Sequence, residues 1–292
     1  MYFANCHNHS TFSDGVYTPE RMVELAAKAG YGAIVLTDHD TVRGTYFLQK
    51  AARRAGLLSL LGCEFSTKHR GVGFHLVGFD FNPDFKPMQE LLAYASARQT
   101  KRSKLLFDWG LERGTLREGI TWQDVLDYAP DNDYFCNNQV FDCMVARGIY
   151  RELEYDAFLK SNFAAHHLGI SAQLDEALNI PYPALEDVVR IIKEAGGVPV
   201  IAHPHRRAEY LDELLSMGVM GFETRHPDLT ADECKFYDRV CEEHRLYRCG
   251  GTDHSGILGG LMEKMPAEHA VGPERGYMTE ESFMKLYRRT LG

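Results

Sequence analysis

The sequence is short of the features that mark disulfide scaffolds, membrane proteins and nucleic-acid-coating proteins. Its seven cysteines include no C-x-x-C pair, and the odd number leaves one without a mate. A reduced thiol set, and hence a cytoplasmic location, is the expectation. Cys136/Cys143 and Cys234/Cys241 stand seven apart, the spacing of a helix interior rather than of a cysteine-built zinc site. No apolar run reaches the roughly 20 residues that span a bilayer, so no membrane partner is expected. The opening MYFANCHNHS lacks the basic and apolar regions of a secretory signal. Positive charge is also in deficit, with 32 Lys and Arg against 41 Asp and Glu, a net charge of -9. Such a surface repels polymeric phosphate, which makes nucleic acid an unexpected partner. A small phosphorylated metabolite can still bind at a local positive centre. Composition says nothing of the oligomeric state.

What the sequence does contain is a strand–helix rhythm. Its 292 residues, 45% hydrophobic and 25% charged, suffice for one large α/β unit with an insert. TPERMVELAAKAG reads as a helix, with Thr18 as cap, Pro19 in the first turn and Gly30 as stop. AIVLT (33–37) reads as a buried strand running into polar DHDT. A helix through FLQKAARRAG follows, then an expected second buried strand, LLSLLG (57–62), and a β-rich FHLVGFDF (74–81). Residues 83–183 are mostly helical and polar, and are expected to form an inserted cap. The β/α rhythm resumes with the helix ALEDVVRIIKEAGG and three strand-to-loop passages, VPVIAHPHR, VMGFETRHP and LYRCGGTDHSG. Strands alternating with helices predict a parallel α/β fold over residues 1–82 and 184–292, with chemistry at the carboxyl ends of the strands. A barrel and a doubly wound sheet both meet that description.

The polar clusters carry the chemistry. In CHNHSTFSDG, His7 and His9 stand at i and i+2, one side of a strand, where two imidazoles can meet one cation. Alone, such a pair is most often structural, and Asp14-Gly15 reads equally well as a turn. LTDHDT brings Asp38, His39 and Asp40, and GCEFST brings Glu64. His75 lies in GFHLVGF, where a hydrogen-bonded strand histidine is the simpler reading. IAHPHR brings His203, His205 and Arg206, ETRHP brings Arg225 and His226, and GGTDHSG brings Asp253 and His254. One or two partners satisfy a core histidine. It has no need of five further histidines and three acids at the same face, so a cation cluster is the better account of the set.

Taken together, HxH…D, TDHD, a Gly-x-Glu segment, AGGVPVIAHP and the final Thr-Asp with a neighbouring His resemble the PHP (polymerase and histidinol phosphatase) family of the amidohydrolase superfamily. The likeness covers residues 5–81 and 184–256. It implies a distorted (β/α)7 barrel with a helical insert and two to three divalent ions, Mn, Zn or Fe. One ion is expected on His7, His9, Glu64 and Asp253. A second is expected on Glu64, His75 and His203, with Glu64 bridging, and a third on Asp14, His39 and a histidine of the last motif. That motif departs from the family's Asp-x-His. Asp253 and His254 are adjacent and Ser255 takes the histidine's place, leaving His254 or His205 to serve the third ion. The family's Gly-Arg-Pro-His segment is replaced by FCNNQ (135–139).

Up to three divalent ions outweigh the charge of Asp14, Glu64 and Asp253 and leave a centre matched to a phosphate dianion. They also lower the pKa of bound water to about 7, which gives hydroxide at neutral pH. Glu64 and Asp253 are the central catalytic candidates, with His226 as a proton donor. Arg206 is expected to clamp phosphate, with His205, Arg225 and Arg43 as further substrate contacts. Asp40 is expected to orient His39. The expected activity is hydrolysis of small phosphoesters, either monoesters or cyclic diesters. The resemblance includes histidinol phosphate, nucleoside 3′,5′-bisphosphate and phosphoribosyl cyclic phosphate as substrate types. C–N hydrolysis and a non-catalytic interaction module are the alternatives, and retention of all three acids speaks against the latter.

Overall fold

The computed structural model describes residues 3–253 and 278–288. Strands β1 (Ala4–Asn5) and β2 (Ala33–Ile34) pair in parallel across the helix α1 (Pro19–Lys28). Thr18 caps α1 by accepting from the Arg21 N–H, a bond worth about 1 kcal/mol. Helix α2 (Arg43–Ala55) starts earlier than its apolar pattern predicts and stops at Gly56 in the left-handed conformation. Strands β3 (Gly62–His69), β4 (Val72–Phe79), β5 (Val198–Ile201), β6 (Gly221–Arg225) and β7 (Tyr247–Gly250) form a second sheet in that order. Helices α8 (Leu185–Glu194), α9 (Leu211–Met217) and α10 (Ala231–Glu243) lead into or connect its later strands. Helix α11 (Glu280–Tyr287) follows β7.

Two expectations need correcting. The sheet is not wholly parallel, because β3–β4 and β4–β5 are antiparallel. Arg70 and Gly71 both have positive φ and make a two-residue turn between β3 and β4, a connection that only antiparallel strands permit. The strand expected over 57–62 instead begins at Gly62. Only Leu58 of the earlier run bridges a strand, at Ala33. Glu64 therefore lies inside β3 rather than beyond a strand end.

Hydrogen bonds continue across both gaps between the two sheets. On one side His39 and Glu64 form a bridge, with the Asp40 N–H donating to the Glu64 carbonyl at 2.8 Å. On the other, the Cys6 N–H donates to the Gly250 carbonyl at 3.1 Å and the Asp253 N–H to the His7 carbonyl at 2.9 Å. Alternation along the strands sorts side chains into two layers. Cys63, Phe65, Phe74 and Leu76 point outward and pack with α8, α9 and α10. Ala4, Cys6, Ala33, Val35, Val77, Phe79, Val198 and Val200 pack together in a separate buried cluster. Burying a side chain such as Phe65 contributes roughly 2–3 kcal/mol.

Between β4 and α8 the described regular structure is helical throughout. It comprises α3 (Lys86–Glu112), α4 (Trp122–Tyr128), α5 (Asn137–Ala146), α6 (Tyr155–Asn162) and α7 (Ser171–Leu178). These helices share a core of their own around Leu106, Phe107, Phe141, Met144 and Phe158. No helix of the described residues is long and apolar enough to cross a membrane.

Candidate metal centre

Every strand delivers a donor to one place. His7 and His9 follow β1, His39 follows β2, Glu64 and His75 sit in β3 and β4, and His203, His226 and Asp253 follow β5, β6 and β7. Glu64 stands at the middle, and its two oxygens face different partners. Oε2 lies 3.0 Å from His7 Nε2, 3.2 Å from His9 Nε2 and 3.3 Å from His39 Nδ1. Oε1 lies 3.0 Å from His75 Nδ1 and 3.1 Å from His203 Nε2. Asp253 Oδ1 is 2.8 Å from His9 Nε2, and its Oδ2 is 3.3 Å from His226 Nε2. Asp14 approaches His9 Nδ1 at 3.5 Å and His39 Nε2 at 3.8 Å.

One expected grouping recurs in this geometry, His7, His9, Glu64 and Asp253, while the others differ from expectation: His39 rather than His203 groups with Glu64 and His75, His9 rather than a last-motif histidine groups with Asp14 and His39, and His7, Glu223 and His226 form a further group. The donors fit a cation for a further reason. His7 Nε2, His9 Nδ1, His39 Nδ1 and Glu64 Oε2 are buried and make no hydrogen bond, despite the close approaches above. An unsatisfied buried polar atom costs about 1–3 kcal/mol, so four in one pocket point to a group the protein itself does not supply. Mixed imidazole and carboxylate donors suit a divalent ion of the Zn, Mn or Fe(II) type.

Buried surroundings hold the cluster in shape. His7 Nδ1 lies 2.9 Å from Glu223 Oε1, and Glu223 Oε2 accepts the His203 N–H at 2.6 Å. One fully buried carboxylate thus orients the His7 ring and holds the backbone that carries His203. Glu223 is absent from the residues selected by sequence. Its strand, GFETR, ends in the Arg-His pair that draws attention instead. Asp38 accepts from Ser10 N at 2.7 Å, Ser10 Oγ at 2.7 Å and Ser13 Oγ at 2.6 Å, folding the loop that carries His9 and Asp14. The far side of that loop is held by α5 and the residue before it. Asn138 Nδ2 donates to the Asp14 carbonyl, Gln139 Nε2 to Thr11 and Ser13, and the Cys136 thiol to Ser13. The FCNNQ segment therefore braces a ligand loop from the helical insert. Gly251 is needed for close approach, since a Cβ there would stand 2.2 Å from the His7 backbone nitrogen. His203 and Asp253 carry φ of 26° and 50°, backbone strain of about 1 kcal/mol or more each.

Charge follows the same plan. Burial opposes ionisation of Glu64, but His7, His75 and His39 hold its carboxyl well below the usual range. Burial likewise opposes charge on Asp253, and His7, His226 and His9 override it. Burial drives His39 down to about 4 against the pull of Glu64 and Asp14, leaving a neutral ring with a free lone pair. His7 and His9 are raised despite burial, His7 chiefly by Glu64 and Glu223 and His9 chiefly by Asp14 and Asp253. Protons on those rings thus compete with a cation for the same nitrogens.

The remaining selected residues are placed differently. His226 is buried, accepts the Asp228 N–H at Nδ1 and so presents Nε2 to Asp253. His205 stands outside the groupings, with Nδ1 2.9 Å from Glu233 Oε2 at the start of α10. The Arg206 N–H donates to Glu233 Oε1. Two expected substrate contacts stand in ion pairs. Arg43 is exposed and paired with Asp133 at 2.9 Å, and Arg225 is paired with Asp238 of α10 at 2.8 Å where a bulge interrupts β6. Asp40 does not orient His39. Its Oδ1 accepts the Ser66 N–H at 3.1 Å, and burial raises it to about 7. His254 lies outside the described residues.

The comparisons with known proteins agree with this picture. The model of the PHP domain matches residues 5–130. The chain is 27% identical over 257 residues to phosphoribosyl 1,2-cyclic phosphate 1,2-diphosphodiesterase of Eggerthella lenta, covering 87% of this chain and 94% of the relative. It is 28% identical over 255 residues to a 5′-3′ exoribonuclease of Haemophilus influenzae, covering 85% and 88%. It is 27% identical over 263 residues to the 3′,5′-nucleoside bisphosphate phosphatase of Chromobacterium violaceum, covering 87% and 88%. Among solved structures, a chain from Bifidobacterium adolescentis described as a metal-dependent phosphoesterase superposes with a TM-score of 0.75 at 27% identity, over 99% of this chain and 96% of that one. Model match, relatives and fold all liken the chain to the PHP domain family.

Proposed function

We propose that the protein is a metal-dependent hydrolase of small phosphoesters, acting on monoesters, cyclic diesters or both. The observation that carries this reading is the two-sided environment of Glu64. One buried carboxylate facing three imidazoles with one oxygen and two with the other is what a pair of bridged cations requires. His7, His9, Glu64 and Asp253 would hold the first ion, and Glu64, His75 and His203 the second. Asp14, His39 and His9 would hold a third. Mn, Zn or Fe(II) when bound would supply Lewis acidity and an acidified water. The protein's own part is to hold these donors rigid, exclude bulk water and keep Glu64 and Asp253 ionised. His226 donates from Nε2 to Asp253 and is placed to pass a proton through it. The bridges across both sheet gaps support a closed, distorted (β/α)7 barrel, with residues 83–183 as its cap.

The test is elemental analysis of the full chain beside a phosphate-release assay on one preparation. Substrates are p-nitrophenyl phosphate, adenosine 3′,5′-bisphosphate and a ribose cyclic phosphodiester, with a panel of amides as controls. Two or three transition metals per chain and turnover of a phosphoester are expected. Amide turnover without phosphate release would overturn the reading. The exoribonuclease relative favours a second reading, removal of nucleotides from RNA ends. A 5′-phosphorylated oligoribonucleotide in the same assay distinguishes the two by whether mononucleotides appear.

A further inference from the structure

Between the ligand loop and the helical insert lies a cavity of about 350 Å³, large enough for a small organic molecule. None of its described lining residues belongs to the donor groupings of the metal centre. The first part of the chain contributes Phe12 and, from α2, Phe47, whose rings stack with centroids 5.3 Å apart. The insert contributes Tyr128, at the end of α4, and Pro130 just after it. Among the described residues five large hydrophobic or aromatic side chains are exposed, and two of the five, Phe47 and Tyr128, border this one cavity. Exposed aromatic surface gathered in a concavity marks a binding surface, whereas a lone exposed ring does not.

The charged part of the lining is one-sided. Glu20, Asp131 and Asp142 border the cavity, and among the described residues no Lys, Arg or His does. Asp142, on α5, is the most telling of the three. It is largely buried, and its carboxylate has no hydrogen bond or ion pair among the described residues. The charge that acts on it is another acid: burial, and after it Glu152, push its carboxyl up to about 6. Arg43 reaches the segment beside the cavity, but its guanidinium is spent on Asp133 and on the Asp131 carbonyl. The amides of the lining are spent as well, since Asn132 Nδ2 and Gln139 Nε2 both donate to the Thr11 carbonyl, at 2.9 and 3.1 Å. What is left for a ligand is aromatic surface beside an unpaired carboxylate. A bare metal ion does not answer that chemistry, because the three acids do not gather into a donor set. A neutral ring leaves Asp142 without a counterion, and an anion is repelled.

We propose that this cavity is a binding site for a small organic cation, an amine or amidine carried on a flat apolar body, with its charge on Asp142 and its body against Phe47 and Tyr128. The carboxylate accepts charge-assisted hydrogen bonds from such a group, and the aromatic faces attract its charge. The site stands apart from the phosphoester chemistry and does not rest on that reading. Thr11 and Phe12 belong to the loop that carries His9 and Asp14, so an occupant touches the same loop as the metal centre.

The experiment is calorimetry on the full chain at pH 8, where Asp142 is ionised. Benzamidine is the probe, and benzamide, its uncharged isostere, is the control. The wild type should bind one benzamidine per chain with a sub-millimolar Kd, and benzamide at least about 10-fold more weakly, the scale of one charge-assisted contact. Asp142→Asn and Phe47→Ala should each weaken benzamidine by about 10-fold. Phe47 is an exposed side chain, so its variant keeps the test open should Asp142→Asn fold poorly; melting curves of both variants establish that they are folded. Equal affinity for benzamide and benzamidine would overturn the proposal. So would wild-type affinity in either folded variant, more than one benzamidine per chain, or no binding of benzamidine up to about 10 mM, a concentration that detects even very weak complexes.

Discussion

At the scale of single residues, Glu64 and Glu223 are both wholly buried acids beside His7, yet they do different work. Glu64 presents an unpartnered oxygen to the cluster, whereas both oxygens of Glu223 are occupied by His7 and the His203 backbone. Glu64→Gln should therefore lower turnover by at least about 100-fold and release metal, the scale of losing a transition-state contact. Glu223→Gln should cost about 10- to 100-fold in metal affinity and be partly rescued by excess metal in the assay. Elemental analysis and activity at rising metal concentration distinguish them; rescue of Glu64→Gln but not of Glu223→Gln would reverse the assignment. His205 yields the opposite expectation. Tied to Glu233 and absent from every donor grouping, it should leave metal content unchanged on substitution to Ala. Loss of one metal per chain in that variant would restore it as a third-site ligand.

At the scale of elements, the helical insert is coupled to the ligand loop through α5, and α5 also carries Asp142. Burial raises this carboxyl to about 6, with Glu152 adding to the effect. A folded pKa above the unfolded value of about 3.9 means that ionisation is penalised in the fold. The associated stability is present below about pH 4 and lost as pH rises through about 6. Asp142→Asn removes the penalty, so its melting temperature should exceed the wild type by about 1–3 °C at pH 8 and converge at pH 4–5, after discounting for partial exposure. A constant difference across pH would refute this cause. Most elements were legible in the sequence because they obey simple periods. The helix at α1 shows its cap and stop, and the apolar runs at β2, β5, β6 and β7 lead directly into polar loops. The β3–β4 hairpin was not legible as such. An Arg-Gly turn is a weak signal, and the apolar LLSLLG run ahead of it imitates a strand better than the mixed GCEFSTKH that forms one. The histidines stood out because so many occur near strand ends. Glu223 did not, since one acid in a strand gives no sign of which face it occupies until the bulge and neighbours are known.

At the scale of the whole molecule, the cluster gathers buried carboxylate and imidazole atoms without hydrogen-bond partners, which a cation would satisfy. Stripping metal from the full chain with a chelator should abolish phosphate release and lower the melting temperature by roughly 5 °C or more, both restored by adding Mn. A melting curve indifferent to chelator would mean that the donors are satisfied without an ion. The seam between the two ends of the described fold has one more consequence. Asn5 Nδ2 donates to Thr252 Oγ1 at 2.8 Å, and the Thr252 N–H returns to Asn5 Oδ1 at 3.1 Å, joining residues 247 positions apart. During translation, His7 and His9 leave the ribosome far ahead of β7 and must wait for it to arrive beside them. Contacts so distant in sequence form slowly. A nascent chain arrested before Gly250 carries every imidazole described in the cluster but lacks both the closing seam and Asp253. Stable metal capture by ribosome-bound chains should accordingly appear only once that last segment has emerged.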